Sequence, residues 1–214
     1  MASFEESNKI GSFGEEILEK LYLALYKPKG WIKEDVRGDE EFQRRDIDFL
    51  FLKDGYTKEE YLALCDKGNF SLIQKRREWG KGIEVKTDRR THETRNLVYE
   101  IVSHNMPGCM ARSYADFVFY VCTDNVPNPS SFKEVFLIDL YELRRFIVKN
   151  PFLKKEDGKF AIKLHSEEKI DNKREDILNL LICVDAINDK DVCKDITKLI
   201  VDINNGTACE ETNS

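Results

Sequence analysis

The chain has 214 residues, a length that suits one domain built around a single hydrophobic core. Apolar residues make up 41% and charged residues 35% of the sequence, which excludes a disordered chain and predicts a heavily charged surface. The formal net charge of −6 excludes a protein whose whole surface is basic. A local basic cleft stays open, because phosphate binding depends on where the positive charge lies.

The first residues and the cysteines favour a cytoplasmic protein. The opening MASFEESNK is acidic and has no apolar segment, so we expect no signal peptide. The longest apolar runs, such as Phe117–Cys122, are far shorter than the roughly 20 residues of a membrane-spanning helix. None of the six cysteines forms a C-x-x-C pair, which argues against a zinc ribbon or a redox motif. Cys122 and Cys183 lie in apolar runs and are expected to be buried thiols.

Hydrophobic periodicity and turn residues predict the elements of the first half of the chain. In order, they are a helix over 12–26 capped by Ser12 and Glu15 and ended by Pro28, a charged loop over 33–45, a strand over 47–52, a turn at Asp54-Gly55, a helix over 58–65, a strand over 70–74, and strands over 82–87 and 96–102. The resulting order of one helix followed by several strands indicates a mixed α/β sheet.

The second half is predicted in the same way. In order, it contains an irregular or helical connection over 103–115, a strand over 117–122, a loop over 126–131, a strand over 135–140, a helix over 141–149, an edge strand over 160–164, and helices near 173–184 and 189–204. We therefore expect one domain over 1–214, with a sheet core at about 11–149 flanked by helices, a helical C-terminal appendage at about 150–205 and a frayed tail over 206–214.

Carboxylates interrupt two strands that are otherwise apolar. The first strand carries Asp46 and Asp48, and the second carries Glu84 and Lys86. Residues two apart share one face of a strand, so each pair projects together. If the two strands are neighbours, an acid from each can converge on one cation, and oxygen ligands suit Mg²⁺ or Mn²⁺ rather than zinc. A lysine beside such a site can orient an attacking water or offset charge on a phosphate.

The order of these residues resembles the PD-(D/E)XK nuclease superfamily, which includes many restriction enzymes and Holliday-junction resolvases. Asp48 precedes an apolar run, and Glu84-Val85-Lys86 lies on a later strand. The segment Gly11–Glu15 matches the place where the family has a glycine and then a glutamate on its first helix. The resemblance covers mainly residues 11–122 and implies a restriction-endonuclease-like mixed sheet.

Two features depart from the family pattern. The proline that names the family is absent, because Arg45 precedes Asp46 and Ile47 precedes Asp48. The stretch between Asp48 and Glu84 is also long, with room for an inserted hairpin or helix.

The resemblance implies a role for each matching residue. Asp48 and Glu84 would be the metal ligands, joined by the carbonyl of Val85, and Lys86 would be the catalytic lysine. Glu15 would be the helix glutamate. Asp46 is the second choice for the strand aspartate, and Glu16 is the neighbouring alternative to Glu15. Seen alone, each of these residues is more often part of a solvated ion pair or a helix-end acid, so the family order carries the assignment.

Further candidates follow the lysine strand. Asn96 and Glu100 are four apart on the next strand and are candidates for the same site, whereas His104 is expected to be a packed or surface residue. Between Lys75 and Arg112 there are nine lysines and arginines against five acids. Arg89, Arg90 and Arg95 are therefore candidates for contact with a nucleic-acid backbone, and a solvated loop is the alternative.

The sequence thus predicts a Mg²⁺- or Mn²⁺-dependent nuclease that hydrolyses phosphodiester bonds, with DNA as the expected substrate and endonucleolytic cleavage as the expected mode. The alternatives are an RNA endonuclease, or a binding module of the same fold that grips DNA or a protein without cutting. Retention of Glu15, Asp48, Glu84 and Lys86 favours the enzyme. We expect nucleic acid and no membrane as partner, and a homodimer stays open.

Overall fold

The computed structural model describes residues 4–65, 70–103, 106–124, 130–167, 177–188 and 191–207. The helices are α1 (Phe4–Leu21), α2 (Glu40–Gln43), α3 (Lys58–Cys65), α4 (Phe70–Trp79), α5 (Thr91–Thr94), α6 (Cys109–Arg112), α7 (Leu140–Lys149) and α8 (Thr197–Asn204). A π-helical turn (Tyr22–Tyr26) and two 3₁₀ turns (Lys27–Lys29 and Val184–Ala186) complete the helical segments. No helix within these ranges is long and apolar enough to cross a membrane.

The strands form two sheets. They are β1 (Ile32–Asp35), β2 (Phe49–Leu52), β3 (Gly80–Asp88), β4 (Asn96–Ser103), β5 (Met106–Pro107), β6 (Phe117–Thr123), β7 (Phe132–Asp139), β8 (Ile162–Glu167), β9 (Ile177–Cys183) and β10 (Cys193–Asp195). A six-stranded sheet has the order β1-β2-β3-β6-β7-β10, and a four-stranded sheet has the order β5-β4-β9-β8. Among the strand pairs described for the larger sheet, β3 and β6 are parallel and the other four pairs are antiparallel. The protein is therefore a mixed α/β structure, as predicted.

Helices cover both faces of the six-stranded sheet. On one face, α1 and α8 bury an apolar stripe against β2, β3 and β6; its members include Ile17, Leu18, Leu21, Phe49, Ile83, Phe119 and Ile200. On the other face, α3, α7 and the smaller sheet pack over Leu50, Val118, Tyr120 and Ile138. Residues Val118–Cys122 are buried on both faces of β6, which explains why this run does not alternate. Cys122 and Cys183 are buried, as predicted.

A buried aspartate fixes the strand that carries Glu84. Asp116, just before β6, is fully buried and accepts hydrogen bonds from the Tyr61 hydroxyl at 2.5 Å and the Gly82 N–H at 2.9 Å. The guanidinium groups of Arg76 and Arg77 contact its Oδ1 at 2.6 and 3.1 Å. Because these partners come from α3, α4 and β3, Asp116 ties both helices to the sheet.

Several predictions for the first half of the chain hold, and three are wrong. Helix α3, the turn at Gly55 and the strands β2, β3 and β4 lie where the sequence placed them. The first helix begins at Phe4, so Ser12 lies inside it and caps nothing. The charged loop over 33–45 contains β1 and α2. The predicted strand over 70–74 is the start of α4, whose Ile73, Arg76 and Arg77 have the three- and four-residue spacing of one helix face.

The C-terminal prediction is largely wrong. Within 150–167, 177–188 and 191–205, the parts of this range that the structure describes, lie β8, β9, β10 and the single α-helix α8, so these parts are not mainly helical. The predicted helix near 173–184 is β9 from Ile177 onward, and residues 173–176 lie outside the described ranges. Short apolar runs fit a buried strand and a helix equally well, and pairing with both β4 and β8 decides in favour of the strand. The predicted edge strand is β8, at the edge of the smaller sheet.

The remaining predictions for the second half have mixed outcomes. Strands β6 and β7 and helix α7 lie close to their predicted ranges, and the connection over 103–115 contains β5 and α6. The predicted loop over 126–131 is described only from 130, and His104 lies outside the described ranges. The predicted helix near 189–204 divides into β10 and α8.

Candidate active site

Asp48 is anchored where β2 begins. Its backbone N–H donates to the Ile83 carbonyl at 2.9 Å, and its own carbonyl accepts from the Val36 N–H at 3.1 Å. The Asp48 side chain also bonds to β3, because its Oδ2 accepts the N–H of Val85 at 2.8 Å. This contact fixes the carboxylate against the middle of β3.

Glu84 and Lys86 leave β3 on the same side and form an ion pair. The Lys86 ammonium lies 2.9 Å from Glu84 Oε1, and the Glu84 side chain is 4% exposed. Glu84 Oε2 is buried and has no hydrogen-bond partner in the described part of the chain. Burial raises the pKa of Glu84, the Lys86 charge opposes that rise, and the charges of Asp46 and Asp48 add to it. A buried carboxylate oxygen without a donor is energetically costly, and a cation would relieve that cost.

These residues open into one pocket of about 360 Å³. Its described lining consists of Arg37, Gln43, Asp46, Ile47, Asp48, Glu84, Val85 and Lys86. Burial also raises the pKa of Asp48, against the lowering effects of the Val85 N–H, Lys86 and Arg37. The pocket, which we call the carboxylate pocket, therefore combines three acids with two bases.

Gly14 brings α1 against β3 beside this pocket. A Cβ atom at Gly14 would lie 2.2 Å from Thr87 Oγ1 and 3.1 Å from Val85 Cγ1, so any larger residue would require Thr87 or α1 to move. The next residue, Glu15, forms an ion pair with Arg37, which lines the pocket and also stacks 4.9 Å from the centre of the Phe49 ring. Glu15 thus acts on the pocket through Arg37 and does not line it.

Asp46 lines the carboxylate pocket but is held by another residue. Both its carboxylate oxygens accept from Arg112, at 2.7 and 2.9 Å. Its backbone has a φ of 47°, in the left-handed region that aspartate tolerates better than most residues. Of the two strand aspartates, Asp48 is therefore the one whose carboxylate is not held by a basic residue in the contacts described here.

Asn96 and Glu100 do not join this site. Strand β4 belongs to the smaller sheet, and β3 pairs instead with β2 and β6. The Asn96 side chain donates to the Thr94 carbonyl at 2.8 Å, and neither Asn96 nor Glu100 lines the carboxylate pocket.

The three arginines after β3 have different surroundings. Arg95 contacts Glu134 Oε1 and Asp185 Oδ1, each at 2.6 Å, and is thereby tied to β7 and to the turn after β9. Arg90 is exposed and Arg89 half-buried, and neither has a carboxylate contact within the described residues. The positive charges of Arg89 and Arg90 are therefore not offset by a carboxylate in the described structure, whereas that of Arg95 is offset by two.

Sequence reasoning missed two polar residues that line the pocket, Arg37 and Gln43. The Gln43 side chain donates to the Arg37 carbonyl, and Arg37 also binds Asp35 through its Nε at 2.9 Å. Both lie in the segment predicted as a charged loop, where no periodicity indicates which side chains turn inward. Charge alone could not have identified them.

The donor set suits a hard divalent cation bound with help from other ligands. Within the described residues, no group of three or more His, Cys, Asp and Glu side chains is arranged to hold a metal. Mg²⁺ commonly takes one or two carboxylates from the protein and completes its shell with water and substrate phosphate oxygens. Asp48 and Glu84 provide two carboxylates, and the unpartnered Oε2 of Glu84 is an open acceptor of this kind.

Comparisons with protein-family models, curated proteins and solved structures gave no match.

Proposed function

We propose that this protein is a Mg²⁺- or Mn²⁺-dependent nuclease of the PD-(D/E)XK type that cleaves DNA internally. The observation that carries the proposal is the meeting of Asp48, Glu84 and Lys86 in one pocket, with a Glu84 oxygen buried and unpartnered. The order of α1, β2 and β3, with the two acid-bearing strands paired, supports a restriction-endonuclease-like core.

Each residue has a role that its position supports. Asp48 and Glu84, with the carbonyl of Val85, would hold the cation, which when bound would polarise the phosphodiester and offset the charge that develops on it. Lys86, next to Glu84, orients the attacking water and stabilises negative charge on the phosphate. Glu15 positions Arg37 at the pocket, where its guanidinium can contact a phosphate oxygen.

Cleavage assays test the proposal. Purified protein is incubated with supercoiled, linear, branched and single-stranded DNA, and with RNA, in Mg²⁺, Mn²⁺ or EDTA. We expect cation-dependent cleavage that falls at least about 100-fold in Asp48→Ala, Glu84→Ala and Lys86→Ala. Glu15→Gln removes the carboxylate that pairs with Arg37. Glu16→Gln is its matched control, because Glu16 is exposed and one residue away in α1. Robust cleavage by Glu84→Ala would refute the assignment.

Metal binding is measured separately by thermal unfolding. A ligand at about 100 times its dissociation constant stabilises the folded protein by roughly 2.7 kcal/mol, so Mn²⁺ should raise the Tm. The double variant Asp48→Asn/Glu84→Gln should lose most of that shift, whereas Lys86→Ala should keep it. Binding of DNA without cleavage in any cation would instead favour the non-catalytic module.

A further inference from the structure

A second pocket, of about 470 Å³, is lined by four arginines and lies beside the carboxylate pocket. Arg76 and Arg77 come from α4, Arg112 from α6 and Arg144 from α7, and no Asp or Glu is among its described lining residues. We call it the arginine pocket. Its volume lies within the range of pockets that hold small organic ligands, about 300–1,000 Å³.

Positive charge in the arginine pocket is only partly neutralised. Asp116 pairs with Arg76 and Arg77, Asp139 also pairs with Arg77 at 2.6 Å, and Asp46 pairs with Arg112, so three carboxylates face four guanidinium groups. Arg76 Nε is buried with no hydrogen-bond partner in the described structure. The Arg144 guanidinium donates to backbone carbonyls, including those of Met110 at 2.8 Å and Ser113 at 2.7 Å, and it contacts no carboxylate within the described residues. The described carboxylates leave one positive charge in excess, so the pocket favours an anion, and phosphate suits the forked guanidinium.

The arginine pocket also has an exposed aromatic wall. Tyr114 is 41% exposed and lines it together with Tyr141. The Arg45 guanidinium lies 6.0 Å from the centre of the Tyr114 ring. Tyrosine and arginine planes are surfaces on which unpaired bases stack.

One ion pair separates the two pockets. Arg112 lines the arginine pocket, and its partner Asp46 lines the carboxylate pocket. The backbone on either side is also joined, because Tyr114 N–H donates to the Arg45 carbonyl at 2.8 Å and Ser113 Oγ donates to the Asp46 carbonyl at 3.1 Å. When one phosphate of a nucleic-acid strand lies in the carboxylate pocket, a neighbouring nucleotide of that strand can therefore reach the arginine pocket.

We infer that the arginine pocket binds one unpaired nucleotide, with its phosphate against the arginines and its base stacked on Tyr114. The inference rests on the proposed function for the neighbouring carboxylate pocket, and it specifies the substrate as nucleic acid that is single-stranded next to the cleaved bond. A base held in the pocket cannot remain in a duplex, because stacking on a side chain requires it to leave its neighbours.

Binding in EDTA tests this inference independently of cleavage. The probes are a labelled single-stranded oligodeoxynucleotide, the duplex of the same sequence and, as an unlabelled competitor, the free nucleotide dAMP. We expect the single strand to bind more tightly than the duplex, and dAMP to compete at much higher concentration. Tyr114→Ala should weaken single-strand binding at least about fivefold, and Tyr114→Phe should retain it.

Charge variants test the arginines. Arg144→Gln should weaken single-strand binding and flatten the slope of log affinity against log salt by about 0.7, the value for one phosphate contact on a single strand. Lys149→Gln, which removes one positive charge from an exposed position on the same helix, is the matched control. Tyr114→Ala keeps the test valid if Arg144→Gln fails to fold, because Tyr114 is an exposed side chain.

Two results would overturn the inference: equal affinity for single strand and duplex, or unchanged single-strand affinity in Tyr114→Ala. Failure of the proposed nuclease activity looks different, because cleavage is then absent in every cation while the single-strand binding and its loss in Tyr114→Ala remain.

Discussion

Gly14→Ala tests how α1 is held against the strand that carries Glu84 and Lys86. The new methyl group would lie 2.2 Å from Thr87 Oγ1 and 3.1 Å from Val85 Cγ1, closer than packed atoms tolerate. Either Thr87 must change its rotamer or α1 must move away from β3. Movement of α1 would displace Glu15 and, through its ion pair, Arg37 in the carboxylate pocket.

The magnitude follows from a control in the same helix. Alanine is favoured over glycine within a helix by about 1 kcal/mol. Gly11 has no atom within 4 Å of a built Cβ, so Gly11→Ala should gain that stability in full. Gly14→Ala gains the same helix propensity but adds overpacking, which typically costs about 1–3 kcal/mol. The free energies of unfolding of the two variants should therefore differ by about 1–3 kcal/mol, with Gly14→Ala the less stable.

Urea unfolding followed by circular dichroism measures this difference, and each kcal/mol also shifts the Tm by about 2–4 °C for a chain of this size. Thr87→Ala supplies the second half of a double-mutant cycle. Thr87 Oγ1 is buried without a partner in the described structure, so Thr87→Ala alone should cost little stability. In the double variant Gly14→Ala/Thr87→Ala, most of the stability lost in Gly14→Ala should be recovered. If Gly14→Ala is as stable as Gly11→Ala, the close approach of α1 to β3 is refuted.

Two other predictions concern ion pairs outside the carboxylate pocket. Asp116→Asn should lower the free energy of unfolding by about 3–5 kcal/mol, because it leaves the buried Arg76 without its carboxylate partner and Arg77 with Asp139 alone, and urea unfolding at neutral pH measures the loss. The hydrogen bond from Arg95 lowers the pKa of Asp185 below its ordinary 3.8. This ion pair therefore stabilises the folded protein at pH values above 3.8, and the stabilisation is lost as the pH falls through the lowered pKa. The stability difference between wild type and Asp185→Asn should accordingly be present at about pH 6 and vanish in strong acid, and a difference that grows on acidification would contradict this assignment.

Local patterns in the sequence predicted much of the framework of the carboxylate pocket. The alternation around Glu84-Val85-Lys86 predicted a strand with Glu84 and Lys86 on one face, and their ammonium–carboxylate distance of 2.9 Å agrees with that placement. The apolar run after Asp48 predicted β2, and the helical spacing from Phe13 to Leu25 predicted most of α1 and the turn after it. These features depend on repeats of two and 3.6 residues, which a short window of sequence displays.

Local patterns failed where two conformations fit the same residues. The run over 177–183 suits either a helix or a buried strand, and its partners β4 and β8 lie far away in sequence. For 70–74, the apolar start resembles a strand, and the helix becomes evident only when Arg76 and Arg77 are seen to share a face with Ile73 and to reach Asp116. Tertiary contacts therefore decided both elements.

The sequence by itself determined which residues could carry the chemistry and which of them share a face of a strand. Only the tertiary structure decided which strands are neighbours. It paired β3 with β2 and β6, which brings Asp48 close to Glu84. It placed β4 in the other sheet, so Asn96 and Glu100 do not line the carboxylate pocket. It also bound Arg95 to Glu134 and Asp185, which are 39 and 90 residues away along the chain. The physical reason is that periodicity is a property of adjacent residues, whereas strand pairing and charge pairing are settled by packing between segments that are distant in sequence.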